Sequence, residues 1–246
     1  MSGCTVIRSS FEKPMAERLL IDAGGLGPVT GLAYIASGRD KARVTLVLAH
    51  GAGAGQSSPF MVRFASGLSA RGLDVVTFNF LYTEERRRIP DRTEKLEACF
   101  HAVVTTVRNH EPFARNVLCI GGKSMGGRIA SHLAAAEGGS ADRAIAGLVF
   151  LGYPLHPPGR PLQLRAAHLE KIRAPMLFVQ GSRDPFGTPA ELTPILESLP
   201  TRATLHVVEN GDHSLVPSRA KSASIDPVYE GIQDAIAGWA KALDSA

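Results

Sequence analysis

Short apolar runs alternate along the chain with longer segments in which apolar positions recur every three or four residues. The runs are rich in β-branched residues and have the length of buried strands, whereas the longer segments have the spacing of amphipathic helices. The pattern predicts strands over residues 44–49, 74–80, 117–120, 145–151, 175–180 and 205–208. It predicts helices over residues 59–71 with Gly72 as cap, 93–110, 125–136 ending at Gly138, 189–199 and 227–243.

This alternation is typical of consecutive βαβ units, in which helices cover both faces of a mostly parallel sheet. We therefore predict an α/β fold. No internal repeat, low-complexity linker or change of composition divides the chain, so residues 1–246 are predicted to form a single domain. Residues 1–40 precede the first clear strand, and we interpret them as N-terminal strands or an extension.

Composition and charge narrow the class of protein. The chain is 44% hydrophobic and 20% charged, which is ordinary for a globular protein, and its net charge of +4 is small. The basic residues are spread along the sequence except at Arg86–Arg88, so we expect no nucleic-acid partner. No apolar leader begins the chain and no stretch approaches the roughly 18 apolar residues of a membrane span, so we expect no membrane partner.

The three cysteines are too few and too scattered for a disulfide framework. Cys99 and Cys119 lie inside apolar runs, where a small buried thiol fits well. We therefore expect a reducing compartment and a cytoplasmic protein. The sequence leaves open whether the protein forms a homo-oligomer.

A candidate nucleophile lies between a predicted strand and a predicted helix. Residues 122–126 are Gly-Lys-Ser-Met-Gly, a match to G-x-S-x-G, in which the serine occupies a sharp strand-to-helix turn. The glycines leave room for that turn, and the helix directs free amides at a developing oxyanion. Ser124 is thus the predicted nucleophile. A glycine-rich turn without chemistry is the alternative, whereas a phosphate loop would require glycine where Val117 stands.

A second loop of small residues, His50-Gly-Ala-Gly-Ala-Gly55, follows the first clear strand. In folds with a G-x-S-x-G turn, one oxyanion donor is the amide after the nucleophile, here Met125, and the other comes from this earlier loop. We place the second donor at Ala52, with Gly53 as the alternative. A dinucleotide-binding loop would need glycine in place of Gln56, so no cofactor is expected.

A serine nucleophile needs a histidine to take its proton and a carboxylate to orient that histidine. The expected chain order is serine, then aspartate or glutamate, then histidine, with the last two after late strands. Asp184 and His213 each lie just after a predicted strand, so they are the predicted acid and base. Asp212 and Glu209 are rivals to Asp184.

The other histidines receive different interpretations. His50 is expected to brace its loop by hydrogen bonds, and His206 to be a packed or edge side chain of a strand. His156 and His168 lie in a proline-rich loop and are candidates to line a pocket. No H-E-x-x-H motif or clustered Cys/His spacing is present, so no metal is expected.

Six segments together resemble the bacterial α/β hydrolases related to the testis-expressed protein 30 and NSL complex subunit 3 group, and more distantly the dienelactone hydrolases. They are HGAGAG (50–55), SPFM (58–61), FNFLY (78–82), GGKSMGGR (121–128), GSRDPF (181–186) and GDH (211–213). The resemblance, which runs from about Val44 to the C-terminus, implies an α/β-hydrolase fold with about eight mostly parallel strands and no large cap domain. It also implies a triad of Ser124, Asp184 and His213. Dienelactone hydrolases proper have a cysteine where Ser124 stands.

The sequence limits the substrate only broadly. The segment between Leu151 and Pro175 is too short for the helical cap that many hydrolases of this fold carry, so we expect an open site. Arg86–Arg88 either attract a carboxylate or phosphate or form a solvated loop balanced by nearby acidic residues. We expect hydrolysis of a small carboxylic ester, with thioesters, lactones and amides left open. The alternative is a non-catalytic interaction or scaffold protein, because some relatives are subunits of protein assemblies.

Overall fold

A computed structural model describes residues 16–137, 145–217 and 225–244. The strands are β1 (Glu17–Asp22), β2 (Pro28–Tyr34), β3 (Val44–Ala49), β4 (Asp74–Phe78), β5 (Val117–Lys123), β6 (Gly147–Leu151), β7 (Met176–Gly181) and β8 (Ala203–Val208). The helices are α1 (Pro59–Ala70), α2 (Leu81–Glu84), α3 (Thr93–Asn109), α4 (Met125–Glu137), α5 (Pro189–Glu197) and α6 (Ile225–Asp244). None of these described helices is long and apolar enough to cross a membrane.

The eight strands form one sheet in the order β1-β2-β4-β3-β5-β6-β7-β8. Strands β3 to β8 pair in parallel, whereas β1 and β2 form an antiparallel hairpin that continues antiparallel onto β4. The predicted α/β fold is therefore confirmed. The strand interpretation of the N-terminal region holds for β1 and β2, while residues 1–15 lie outside the described part of the chain.

Both faces of the sheet are covered, as the continuous apolar strands predict. In β3 all six side chains are buried. Leu46 and Leu48 pack with α1 and α6 on one face, whereas Val47 and Ala49 pack with α3 and α4 on the other. A strand enclosed on both sides loses the apolar/polar alternation of a half-exposed strand, which is why these segments are uniformly apolar.

The boundaries differ from the predicted ones at a few places. The strand predicted over residues 74–80 ends at Phe78, because the chain turns there into the short helix α2, which the pattern does not predict. The strand predicted to end at residue 120 continues to Lys123, since Gly121 and Gly122 still pair with β3 and β6. Gly138, the predicted end of α4, lies outside the described residues.

The strand order creates a crevice at one edge of the sheet. From β3 the chain passes through α1 to β4 on one side, and then through α3 to β5 on the other side of β3. Because α1 and α4, the helices that follow β3 and β5, lie on opposite faces, the loops that leave these two strands diverge at their carboxyl ends. In open α/β sheets such a reversal of strand order is where ligands bind.

No helical cap covers this crevice in the described structure. Between β6 and β7 the only helical element is one turn of 3-10 helix, Leu169–Lys171. The segment is otherwise irregular, as its length predicts.

The two described cysteines are buried free thiols. Cys99 lies on α3 and Cys119 on β5, and neither is in a disulfide. Burial raises the pKa of each thiol to about 12, so neither is an effective nucleophile near neutral pH. Their interpretation as small buried side chains is confirmed.

Candidate active site

Ser124 occupies a strained turn between β5 and α4. Its φ angle is +50°, in the left-handed region that side chains other than glycine seldom adopt. Hydrogen bonds fix this conformation, because the Ser124 N–H donates to Leu151 O at 3.1 Å and its carbonyl accepts from Arg128 N–H at 3.0 Å. A strained residue held from both sides is a frequent feature of functional sites.

The glycines on either side of Ser124 are required by close packing. A Cβ atom on Gly122 or on Gly126 would collide with the carbonyl oxygen of Ala49, the last residue of β3. The start of α4 therefore lies directly against the end of β3. This close approach brings Ser124 beside the loop that follows β3.

The predicted acid, base and nucleophile are joined by two hydrogen bonds. His213 Nε2 lies 2.8 Å from Ser124 Oγ, and His213 Nδ1 lies 2.8 Å from Asp184 Oδ2. The Asp184 side chain is fully buried, while that of His213 is 20% exposed. Asp184 follows β7 and His213 follows β8, so the arrangement draws on the carboxyl ends of three parallel strands.

Further contacts orient the carboxylate and the imidazole. Asp184 Oδ2 also accepts a hydrogen bond from the buried amide of Gln180 at 2.9 Å, and Oδ1 accepts from Phe186 N–H at 2.8 Å. The Phe186 ring packs on His213 with centroids 4.2 Å apart. Gln180 is not among the site residues predicted from the sequence, although a lone glutamine in an apolar strand is a signal that a buried polar group needs a partner.

Asp212 makes different contacts from Asp184. Its Oδ1 accepts hydrogen bonds from Ser214 N–H at 2.7 Å and Val216 N–H at 3.1 Å, which closes the turn that carries His213. Glu209, the other rival, is exposed. The geometry thus joins Asp184 to the imidazole and leaves Asp212 bonded to the backbone.

The loop after β3 is braced by His50, as expected. His50 is fully buried, its Nδ1 lies 2.9 Å from Gly51 O, and its Nε2 accepts from Phe80 N–H at 3.2 Å. Burial lowers the pKa of His50, which keeps the imidazole neutral. Ala52 and Met125 lie beside Ser124 on the cavity wall, and the Ala52 amide takes no part in the hydrogen bonds of the described turns.

Ser124 and His213 open into a cavity of about 550 Å³. Its other lining residues are Gly51, Ala52, Ala54, Ser58, Pro59, Phe60, Met61, Lys123, Met125, Arg128, Pro154, Arg165, Phe186 and Ser214. Three of the lining residues are cationic, namely Lys123, Arg128 and Arg165. None of the three is predicted from the sequence to be a site residue. Among the described residues, no three His, Cys, Asp or Glu side chains come together as a metal site would require.

The conspicuous basic and histidine residues of the sequence lie elsewhere. Arg86–Arg88 are exposed and absent from the cavity lining, and Arg87 is paired with Glu85 and Asp91. This agrees with a solvated loop. His156 and His168, which the sequence suggests as candidates to line a pocket, are not among the residues that line this cavity, whereas His206 is partly buried on the edge strand β8.

Lys123 is the least expected residue of the site. Its ammonium donates a hydrogen bond to the carbonyl oxygen of His213 at 2.6 Å, across from β5 to the loop after β8. Burial lowers the pKa of Lys123 to about 8, although the charges of Asp184 and Asp212 act in the opposite direction. The signal in the sequence is a lysine at the variable position of G-x-S-x-G, between an apolar strand and the predicted nucleophile.

Comparison with known proteins assigns the class. The sequence matches a family model described as the alpha/beta hydrolase domain over residues 42–241. The chain therefore belongs to the α/β hydrolase family, to which the sheet order and the turn at Ser124 also point.

Solved structures with the same fold cover nearly the whole chain. A dienelactone hydrolase from Anabaena variabilis is 20% identical with a TM-score of 0.72, over 92% of this chain and 97% of that protein. A serine hydrolase homologue from Coxiella burnetii is 19% identical with a TM-score of 0.70, over 91% and 96%. An α/β serine hydrolase without a lid from Xanthomonas campestris is 19% identical with a TM-score of 0.68, over 92% and 95%. At these identities the likeness concerns the fold.

Proposed function

We propose that this α/β hydrolase is a serine hydrolase that cleaves small carboxylic esters through an acyl-enzyme. The observation that carries the proposal is the unbroken chain of hydrogen bonds from Ser124 through His213 to Asp184, each 2.8 Å long, at a cavity. Such a chain supplies what a serine hydroxyl lacks, namely a base that takes its proton and a buried carboxylate that stabilises the resulting imidazolium.

In the first step His213 Nε2 takes the proton of Ser124 as Oγ attacks the ester carbonyl carbon. The carbonyl oxygen becomes an oxyanion, and the amides of Ala52 and Met125 are the proposed donors to it. Met125 begins α4, so the positive end of the helix dipole also faces the developing charge. His213 then protonates the leaving alcohol, and the acyl group stays on Ser124.

In the second step water enters the site of the departed alcohol. His213 takes a proton from this water as it attacks the acyl carbonyl, and it returns the proton to Ser124 Oγ when the ester bond to the enzyme breaks. Asp184 stays ionised throughout and holds the imidazole in one tautomer. The contacts of Gln180 and Phe186 with Asp184 support that orientation before substrate arrives.

Closer kinship with the testis-expressed protein 30 and NSL complex subunit 3 group rests on the six sequence segments that resemble it, and it is part of the proposal. The cytoplasmic location of the protein is also part of the proposal. A cavity lined largely by apolar side chains and not covered by a cap suits a small ester.

Labelling with a fluorophosphonate tests the proposal without a chosen substrate. The wild-type protein should gain one phosphonyl group, located on Ser124 by peptide mass spectrometry, and Ser124→Ala should gain none. Ser131→Ala is the matched control, because Ser131 Oγ lies 2.7 Å from His168 Nε2 but is fully buried away from the cavity. It should label like the wild type.

Hydrolysis of para-nitrophenyl butyrate is measured on the same three proteins. Ser124→Ala should lose nearly all turnover, keeping only the roughly 10³- to 10⁴-fold rate over water that binding and the oxyanion donors provide. Labelling of another serine would refute the assignment of the nucleophile. A folded wild-type protein that neither labels nor hydrolyses esters would instead favour the scaffold alternative.

A further inference from the structure

The cavity beside Ser124 has cationic side chains in its wall. Lys123, Arg128 and Arg165 line it, whereas no aspartate or glutamate of the described residues does. Lys123 is already engaged, since its ammonium is bonded to His213 O and faces the charges of Asp184 and Asp212. The two arginines are different, because the described protein gives neither of them an acidic partner.

Arg128 lies one helical turn after the nucleophile, and its N–H donates to Ser124 O. A positive charge in the first turn of a helix faces the positive end of the helix dipole and is unfavourable there. The described residues form eleven salt bridges and none involves Arg128 or Arg165. Glu97 acts on Arg128 only from a distance, and it is itself bonded to His132 at 2.9 Å.

Arg165 is brought to the same wall by fixed backbone contacts. Its N–H donates to Leu155 O at 2.7 Å, and its carbonyl accepts from the hydroxyl of Tyr153 at 2.8 Å. Tyr153 is fully buried, so this part of the loop is attached to the core. The backbone of Arg165 is therefore held in place beside the cavity.

The two guanidinium groups repel each other. The pKa of Arg128 is lowered by burial and by the charge of Arg165, and both side chains are only partly exposed. Bringing two unpaired cations together at a helix N-terminus destabilises the free protein, and an oxyanion between them would remove that repulsion. Guanidinium groups bind carboxylates and phosphates through paired N–H donors, which suits this arrangement.

We propose that Arg128 and Arg165 form a binding subsite for an oxyanion, and that the ester cleaved at Ser124 carries a carboxylate or phosphate away from the scissile bond. This proposal rests on the proposed function, because it places the charged end of the substrate in the cavity that holds the nucleophile. Phe60 and Met61 on the same cavity wall provide an apolar surface for the chain that connects the two ends.

The decisive comparison uses two esters, one whose acyl chain ends in a carboxylate and one whose acyl chain ends in a methyl group. The probes are the mono-para-nitrophenyl ester of glutaric acid and para-nitrophenyl pentanoate, which have acyl chains of similar length and the same leaving group. The wild type should favour the anionic ester by roughly 10-fold or more in kcat/KM, because hydrogen bonds from the guanidinium groups to its carboxylate stabilise the bound substrate. Arg165→Met should lose roughly 10- to 100-fold on the anionic ester and less than about 3-fold on the neutral one.

Arg128→Met should show the same selective loss. Arg88→Met removes an equal charge outside the cavity and should change neither rate. The subsite is refuted if the wild type hydrolyses both esters equally, or if Arg165→Met slows both by the same factor.

Binding measurements separate this proposal from the proposed function. Glutarate or inorganic phosphate, at matched ionic strength, should raise the Tm of the wild type and of Ser124→Ala but not that of Arg165→Met. This result supports the subsite even if no ester is hydrolysed, and the larger of the two shifts identifies the preferred oxyanion. No shift with either anion in the wild type would refute the subsite even in an active hydrolase.

Discussion

Asp184 and Asp212 both act electrostatically on Lys123, but they bond to different groups. Asp184 is buried and accepts hydrogen bonds from His213, Gln180 and Phe186. Asp212 bonds to backbone N–H groups in the turn around His213. An amide in place of Asp184 would lose the charge that stabilises an imidazolium, whereas an amide in place of Asp212 would keep the oxygen that accepts those bonds.

We predict that Asp184→Asn folds but loses up to about 10⁴-fold in kcat, whereas Asp212→Asn loses less than about 10-fold. The measurements are ester turnover and thermal unfolding of both variants. A larger catalytic loss in Asp212→Asn, with both proteins folded, would show that the acid is misassigned.

Lys123 connects β5, which ends next to Ser124, to the loop that carries His213. Burial disfavours the charged ammonium and lowers the pKa of Lys123 to about 8, below the ordinary value of 10.5. In the unfolded chain the lysine keeps its proton up to the ordinary value. Between these two pH values the unfolded state binds a proton that the folded state has released, so stability increases as pH rises through this window.

We predict that the free energy of unfolding of the wild type, measured relative to Lys123→Met, rises by about 2 to 3 kcal/mol between pH 7.5 and pH 10. Urea titrations of both proteins across this range provide the values, and taking their difference cancels the other titrating groups. If the difference in the free energy of unfolding between the two proteins stays constant or falls with pH, the pKa of Lys123 is not lowered in the folded protein.

At the scale of elements, His50 connects the end of β3 to the start of α2. One ring nitrogen bonds to Gly51 in the loop of small residues, and the other accepts from Phe80 just before α2. The loop that carries Ala52 has no regular structure of its own. Its position beside Ser124 is therefore stabilised in part by this buried imidazole and by close packing against α4.

We predict that His50→Leu lowers the free energy of unfolding by roughly 2 to 4 kcal/mol, because Phe80 N–H and Gly51 O lose a buried partner. Ester turnover should fall as well, since the loop that carries Ala52, the proposed oxyanion donor, would no longer be held. His206→Leu is the control, because His206 is a partly exposed residue of the edge strand. Equal destabilisation by both substitutions would remove the bracing role from His50.

The elements that the sequence predicts well are those with strong periodicity. The bounds of strand β3 are predicted without error, and those of α1, α3 and α4 to within one residue. The spacing of the apolar residues in these elements follows from the side of each element that is buried against the rest of the protein. Helix α2 is not predicted, because a segment of four residues is too short to show the periodic apolar spacing of a helix. The order of Ser124, Asp184 and His213 follows from the motif and its strand contexts, and the structure brings the three together.

The cationic wall of the cavity is the part that the sequence does not predict. Spacing along the chain shows which face of an element is apolar, but it does not show which side chains from distant elements meet. Arg86–Arg88 are adjacent in sequence and lie in solvent, whereas Arg128 and Arg165 are far apart in sequence and line one cavity.

Across the described part of the molecule, buried and half-buried imidazoles make stability depend on pH. The pKa of His168 is lowered to about 4 by burial and by the neighbouring charges of His132, Arg128 and Lys171. Burial also lowers the pKa of His50. Below the ordinary histidine pKa of 6.5, the unfolded chain binds protons that the folded protein excludes, so stability is lost as pH falls.

We predict that the wild type loses stability steadily between pH 6.5 and pH 4, and that His168→Gln loses about 1 to 2 kcal/mol less over this range, which is below the full value of the pKa shift because solvent screens a half-buried ring. Glutamine keeps a polar group near Ser131 without an ionisable ring. Denaturant titrations at several pH values measure both slopes. Identical slopes for the two proteins would show that His168 does not contribute to acid sensitivity.

The position of α6 has a consequence for how the chain is synthesised. Its apolar residues Ile232 and Ile236 cover the sheet face that bears Leu46 and Leu48 of β3. A growing chain contains Ser124, Asp184 and His213 once His213 is made, yet this sheet face still lacks α6. Nascent chains at that stage present an apolar surface of the kind that aggregates or is held by chaperones, so catalytic competence should arise only late in translation.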